Sequence, residues 1–141
     1  MKHKLVYIIS LTTLWLALAV SAGAADMVVI VNNGNTNSVD QGIVKKIYTG
    51  KMKSWSDGGS VKALDLPETS PVRETFSSSV LGKSVSNIKS LWAQMIFSGK
   101  ATPPKVVGSD DEVKKIVATD KNAIGYIAAS SLDGSVKAVL K

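Results

Sequence analysis

Apolar and polar positions along this chain change their period several times, and each change predicts an element. Met27-Val28-Val29-Ile30-Val31 is an unbroken, mostly β-branched run. It reads as a strand buried on both faces, as in a parallel sheet. A polar loop over 32–37, with Gly34 inside it, follows. Ser38 and Gln41 have the spacing of a capping box. Val39, Ile43, Val44 and Ile47 then fall on one helical face, and Gly50 closes the helix as its left-handed cap.

Trp55 precedes the turn Ser56-Asp57-Gly58-Gly59, and residues 61–66 predict a second strand. The segment Pro67-Glu68-Thr69-Ser70-Pro71 breaks it. Ser70 suits an N-cap and Pro71 a first helical position, so a helix is expected over 72–80, stopped at Gly82. Ser84 opens the next one, where Ile88, Leu91, Trp92, Met95 and Ile96 form the strongest helical stripe in the chain. After Gly99 and the Pro103-Pro104 turn come a short strand over 105–107 and a helix opened by Ser109 and Glu112. That helix turns Val113, Ile116 and Val117 inward, and Asp110, Asp111 and Glu112 suit its positive end. Strands over 123–128, with Gly125 at a close approach, and over 136–140 complete the series.

Strands alternating with helices predict an α/β fold: one three-layer sandwich lobe with a mostly parallel central sheet. No linker composition divides it. Two near-repeats, Ile47-Tyr48-Thr49-Gly50-Lys51 with Ile96-Phe97-Ser98-Gly99-Lys100 and Gly59-Ser60-Val61-Lys62-Ala63 with Gly134-Ser135-Val136-Lys137-Ala138, share no common offset. They read as similar helix ends and similar turn-to-strand entries, not as a repeat architecture.

The start of the chain has a different character. Lys2, His3 and Lys4 precede a mostly apolar stretch over 5–20, and Ala22-Gly23-Ala24 supplies small residues for a peptidase. This is the pattern of a secretory signal peptide, expected over 1–24, and the stretch is short for a membrane span. Residues 25–141 then form the exported domain. The 141-residue sequence has no cysteine, and its single histidine is His3. A disulfide framework, a thiolate or imidazole metal site, a Ser-His-Asp triad and a lipid-anchored cysteine are thereby excluded from the exported domain. No cofactor and no metal are expected, and a periplasmic location free of lipid anchoring is. Net charge is +6 over the whole sequence, but the lysines are scattered and not interleaved with aromatics, which argues against nucleic acid. Asp57, Asp65, Glu68 and Asp120 read as turn caps rather than paired catalytic carboxylates.

In an open α/β sheet, ligands sit beyond the carboxyl ends of the strands, where free helix N–H groups bind anions. Three junctions qualify: 32–38, 66–73 and 108–111. The third carries its own carboxylates. The second is the most suitable, with hydroxyls from Thr69 and Ser70, free N–H groups on Val72 and Arg73, and the Arg73 fork. Ser38, in the first, is a second cradle. Two readings of Ser70 stand side by side: a helix cap alone, or a cap that also faces an anion.

The segment Ile47-Tyr48-Thr49-Gly50-Lys51-Met52-Lys53-Ser54-Trp55-Ser56-Asp57-Gly58 resembles the IF-x-GK-x-x-x-W-x-DG stretch of phosphate-binding proteins from phosphate ABC transporters, in the periplasmic binding protein-like class II superfamily. Residues 67–76, 92–100 and Ala123-Ile124-Gly125-Tyr126-Ile127 resemble that family in order and spacing. The resemblance implies a class II periplasmic-binding-protein lobe and a non-enzymatic role in binding phosphate or a similar oxyanion. Family members close two lobes on phosphate, and this chain has length for one. Their phosphate-gripping Arg falls at Asp65 here, and their Ser-Gly-Thr segment at Thr69-Ser70-Pro71, so Arg73 is the candidate to supply the charge. A single lobe also suggests a second function: a module, monomeric or weakly dimeric, that docks on a periplasmic or membrane protein after losing its ligand.

Overall fold

The computed structural model describes residues 26–141; the signal peptide expected over 1–24 lies outside the described residues. Five strands and four α-helices follow in the order β1 (Met27–Val31), α1 (Gln41–Tyr48), β2 (Lys62–Asp65), α2 (Pro71–Phe76), α3 (Val85–Phe97), β3 (Lys105–Val106), α4 (Asp110–Thr119), β4 (Ala123–Ala128) and β5 (Lys137–Leu140). A π-turn, Ser77–Leu81, continues α2, and a 3-10 turn, Ala129–Ser131, follows β4. The sheet order is β3-β2-β4-β1-β5.

The two faces of β4 show how the layers form. Successive strand residues point to opposite sides. Gly125 faces Val113 of α4. Tyr126, next along, faces the other layer, where its ring stacks on Phe76 with centroids 3.9 Å apart and Tyr48 meets it edge-on. The core is continuous through both interfaces and takes in the whole of β1.

β2 pairs parallel with β3 and β4, whereas β1 pairs antiparallel with both β4 and β5. Four strands therefore share a direction and β1 alone opposes them. The expectation that β1 lies among parallel neighbours is corrected. Its apolar run records burial on two faces at the middle of the sheet, and burial does not depend on strand direction.

The helix starts follow the sequence, with one correction. Ser70, Ser84 and Ser109 each accept the N–H three residues on. At α1 the cap is Asp40, whose Oδ1 accepts from Ile43 N–H at 2.8 Å, and not Ser38. Gln41 does not reach back either: its amide donates to the carbonyls of Ser79 and Val80 in the π-turn. A carboxylate one residue before the first helical turn takes the capping role from a hydroxyl three residues before it. The stripe of α3 also runs past the core it was expected to face. Ile88 and Trp92 are buried, but Ile96 is 52% exposed and Phe97, which ends the helix, 96%.

Gly125 is where the packing is tightest. A Cβ there would lie 2.5 Å from Cγ1 of Val113. Gly125→Ala is expected to lower stability by about 1–3 kcal/mol in urea unfolding. The penalty should shrink in a Val113→Ala background, since that change removes both valine methyls, among them the Cγ1 that the added Cβ would strike.

Candidate functional site

Strand direction sorts the three candidate junctions. Val31, the last residue of β1, and Ala63, near the start of β2, are both level with Ile124. The loop after β1 therefore leaves the end of the sheet opposite to the carboxyl end of β2. The corner over 66–73 and the turn over 108–111 share the other end. Ser38 is exposed on the loop after β1, so it lies on a junction separate from Thr69, Ser70 and Arg73. That loop is instead held by asparagines. Asn32 donates to the carbonyls of Val117 and Ala118 at the end of α4, and Asn35, fully buried, accepts from Asn37.

At the β2–α2 corner one expectation is corrected: Arg73 N–H, read as free, is taken by the Ser70 cap. Oγ of Ser70 accepts from Arg73 N–H at 3.3 Å. Pro71 has no N–H to offer. Val72 N–H is then the helix-start amide left for another acceptor, and Thr69 is exposed beside it. The nearby Glu68 pairs with Lys89 at 3.0 Å, at the surface.

The Arg73 side chain turns inward. Nη1 donates to the Leu66 carbonyl at 2.9 Å, and Nη2 lies 3.3 Å from Oδ2 of Asp65. The Asp65 carboxylate also accepts from the Tyr126 hydroxyl, and from Leu66 N–H at 2.9 Å. Tyr48 donates to the Leu64 carbonyl at 2.7 Å, and the Tyr48, Phe76 and Tyr126 rings wall the group off. The space left beside the pair is only about 10 Å³, room for one water at most. Among the described residues no buried side-chain polar atom lacks a partner.

The electrostatics follow from this burial. Desolvation pushes Asp65 above the usual aspartate range, although the Tyr126 hydroxyl, Arg73 and the Leu66 amide all favour its charged form. Burial first, and then the Asp65 charge, push the Tyr126 hydroxyl up, so it stays a donor at any ordinary pH. Tyr48 is raised well above its usual value for the same first reason.

Asp65, read from the sequence as a turn cap and by resemblance as the position of the family's gripping Arg, is instead the buried partner of Arg73, a pairing that sequence reasoning missed. The readable signal was a lone carboxylate inside the apolar strand Ala63-Leu64-Asp65-Leu66, eight residues before Arg73, the single arginine of the sequence. A charge in such a strand requires a partner. The other acidic candidates do sit at turns: Asp57 accepts from Gly59 N–H and Asp120 from Asn122 N–H. Among the described residues, no group of three His, Cys, Asp or Glu could hold a metal ion.

The fold places the chain in a known family. The chain belongs to the PBP superfamily, whose domain model matches residues 15–138. Solved structures similar to it include an ABC-type phosphate transport receptor from Vibrio cholerae, at 22% identity and a TM-score of 0.64, over 81% of this chain and 45% of that one. A Clostridium perfringens protein, provisionally assigned as a phosphate ABC transporter substrate-binding protein and solved with bound phosphate, is 23% identical at a TM-score of 0.64, over 81% and 44%. PstS from Borrelia burgdorferi is 13% identical at a TM-score of 0.61, over 82% and 46%. The chain thus spans less than half the length of these structures, with which it shares a fold. No curated protein matches it.

The buried pair sets two expectations. Arg73→Met, which strands the Asp65 carboxylate, should cost about 3–5 kcal/mol, and an Asp65→Leu/Arg73→Met double variant distinctly less. The second concerns pH. Because Asp65 is raised in the folded chain, its contribution to stability is full below the unfolded aspartate value of about 3.9 and is lost as pH rises through the folded value. The stability of the wild type relative to Asp65→Asn, from urea midpoints, should therefore fall as pH is raised from about 3.5. A difference independent of pH would show that burial does not govern this carboxyl.

Proposed function

We propose that this chain is an exported, periplasmic, non-enzymatic binding domain whose β2–α2 corner takes phosphate or a similar oxyanion in competition with its own Asp65. The observation that carries the reading is the set of donors converging on Asp65. The Arg73 guanidinium, the Tyr126 hydroxyl and Leu66 N–H all point at one carboxylate. These are the groups an oxyanion uses, since charge-assisted bonds from a planar fork and from backbone amides are the strong ones. On this reading Thr69, Ser70 and the Val72 amide, at the start of the same helix, supply the remaining contacts. Ser38, at the other end of the sheet, forms no part of this corner and would meet an anion only as a separate cradle. The similar solved structures, described as phosphate-transport proteins, support the ligand class. The signal-peptide pattern read over 1–24 supports export, and the lack of cysteine in the sequence supports a protein free of lipid anchoring.

Internal competition makes wild-type binding weak. Phosphate must draw Arg73 away from a carboxylate that is already in place at no cost in translational freedom. A second reading rests on the same pair: with Arg73 engaged, the lobe serves as a docking module for a periplasmic or membrane protein.

Calorimetric titration of residues 25–141 with phosphate separates the two. Wild type should bind at millimolar concentration. Asp65→Asn should be destabilised but bind at least about tenfold more tightly, a gain of about 1.4 kcal/mol. Phosphate should also raise its melting temperature more than that of the wild type. Arg73→Ala should abolish the heat. If Asp65→Asn is folded by circular dichroism and no variant responds to phosphate, the oxyanion reading is wrong and the docking module remains.

A further inference from the structure

A second hollow does not belong to the corner. It is a groove of about 810 Å³ beside the start of β2. Its origin lies in the shortness of β3. That strand pairs only with Leu64 and Asp65, while Lys62 and Ala63 are paired on their other side, to β4. The chain over 99–105, with Pro103 and Pro104 in it, arches away from the sheet there and forms the far wall. The two Gly-Lys helix ends noted in the sequence converge on this place: Gly50 after α1, and Gly99 with Lys100 after α3, all line it.

Ile47, Val61, Trp92 and Ile116 give the groove an apolar floor, and Lys53, Lys62, Lys100 and Lys105 stand around it. The one lining carboxylate, Asp120, is 2.8 Å from Lys62. Lys53 donates to the Lys100 carbonyl at the end of α3. The two helix C-termini bring about half a negative charge each, which still leaves roughly two positive charges in excess. Lys100 and Lys105 have no ion-pair partner among the described residues.

An inorganic ion is far too small for this space. Grooves of about 300–1,000 Å³ with apolar walls and a few placed charges hold small organic molecules. We infer that the groove binds an amphipathic organic anion, a carboxylate or phosphate head on an alkyl or aryl body. The head lies among Lys62, Lys100 and Lys105, and the body rests on the Trp92 side of the floor. Apolar contact supplies most of the affinity at about 25 cal/mol per Å² buried, and the lysines select the sign of the head group. This site is distinct from the β2–α2 corner and does not depend on the oxyanion reading.

The test uses residues 25–141 and three probes: monomeric decanoate, decyltrimethylammonium and phosphatidylglycerol vesicles. Decanoate should bind once per chain by calorimetry and change the fluorescence of Trp92. The cationic amphiphile should not bind, and the vesicles should not sediment the protein at physiological salt. Lys100→Glu/Lys105→Glu should weaken decanoate at least tenfold, and Ala101→Phe, which fills the groove from a partly exposed loop position, should block it. Millimolar phosphate should leave the decanoate isotherm unchanged. Equal binding of the cationic amphiphile, decanoate binding that survives both variants, or no decanoate binding at all would overturn the inference. So would vesicle binding without binding of monomeric decanoate, because it would assign the lysines to a membrane surface.

Discussion

A charged carboxylate cannot sit among leucines and tyrosines unless a cation reaches it, and the arrangement around Asp65 is built to meet that demand. Asp65 ends β2, Arg73 enters from the first turns of α2, Tyr126 arrives from β4 and the Leu66 amide closes the fourth side. Three separate elements are thereby fixed to one another at the carboxyl end of the sheet. Their mutual angles follow from hydrogen-bond geometry as much as from apolar packing. Stability is not the main return, since an apolar trio of similar volume would hold as well or better. What the group specifies is how α2 leaves the sheet, and hence where Thr69 and Ser70 stand.

Much of the fold was legible in the sequence. Elements whose signal is local were read correctly: the Ser70-Pro71, Ser84 and Ser109 helix starts, the left-handed glycines after α1 and α3, and the close approach at Gly125. The exceptions share a cause, because each is decided by a partner distant in sequence. The direction of β1 is set by β4 and β5, about a hundred residues on. The role of Gln41 is set by carbonyls in the π-turn. The site was half legible for the same reason. Spacing placed Ser70 at a helix start and gave Arg73 a free fork. Only the assembled sheet shows that the fork closes on Asp65, and that Ser38 leaves by the opposite end.

Reversing one central strand has a further result: it separates the chemistry of the molecule by location. Parallel βα units would gather all three loops at one mouth. Here the corner over 66–73 and the carboxylates of Asp110, Asp111 and Glu112 share one end, while the asparagine-bound loop after β1 lies at the other. The lysine-rimmed groove opens beside the start of β2. The corner and the groove therefore differ in size and chemistry, and of the side chains that line them only Trp92 borders both.

The antiparallel pairing of β1 with β5 also brings the two ends of the folded unit together. Val29 lies opposite Leu140, and Lys137 reaches back to the Asn35 carbonyl. The first and last strands of the described fold thus lie side by side at one margin of the sheet. A lobe with that property can be spliced into a surface loop of another protein, or circularly permuted, with little disturbance to either partner.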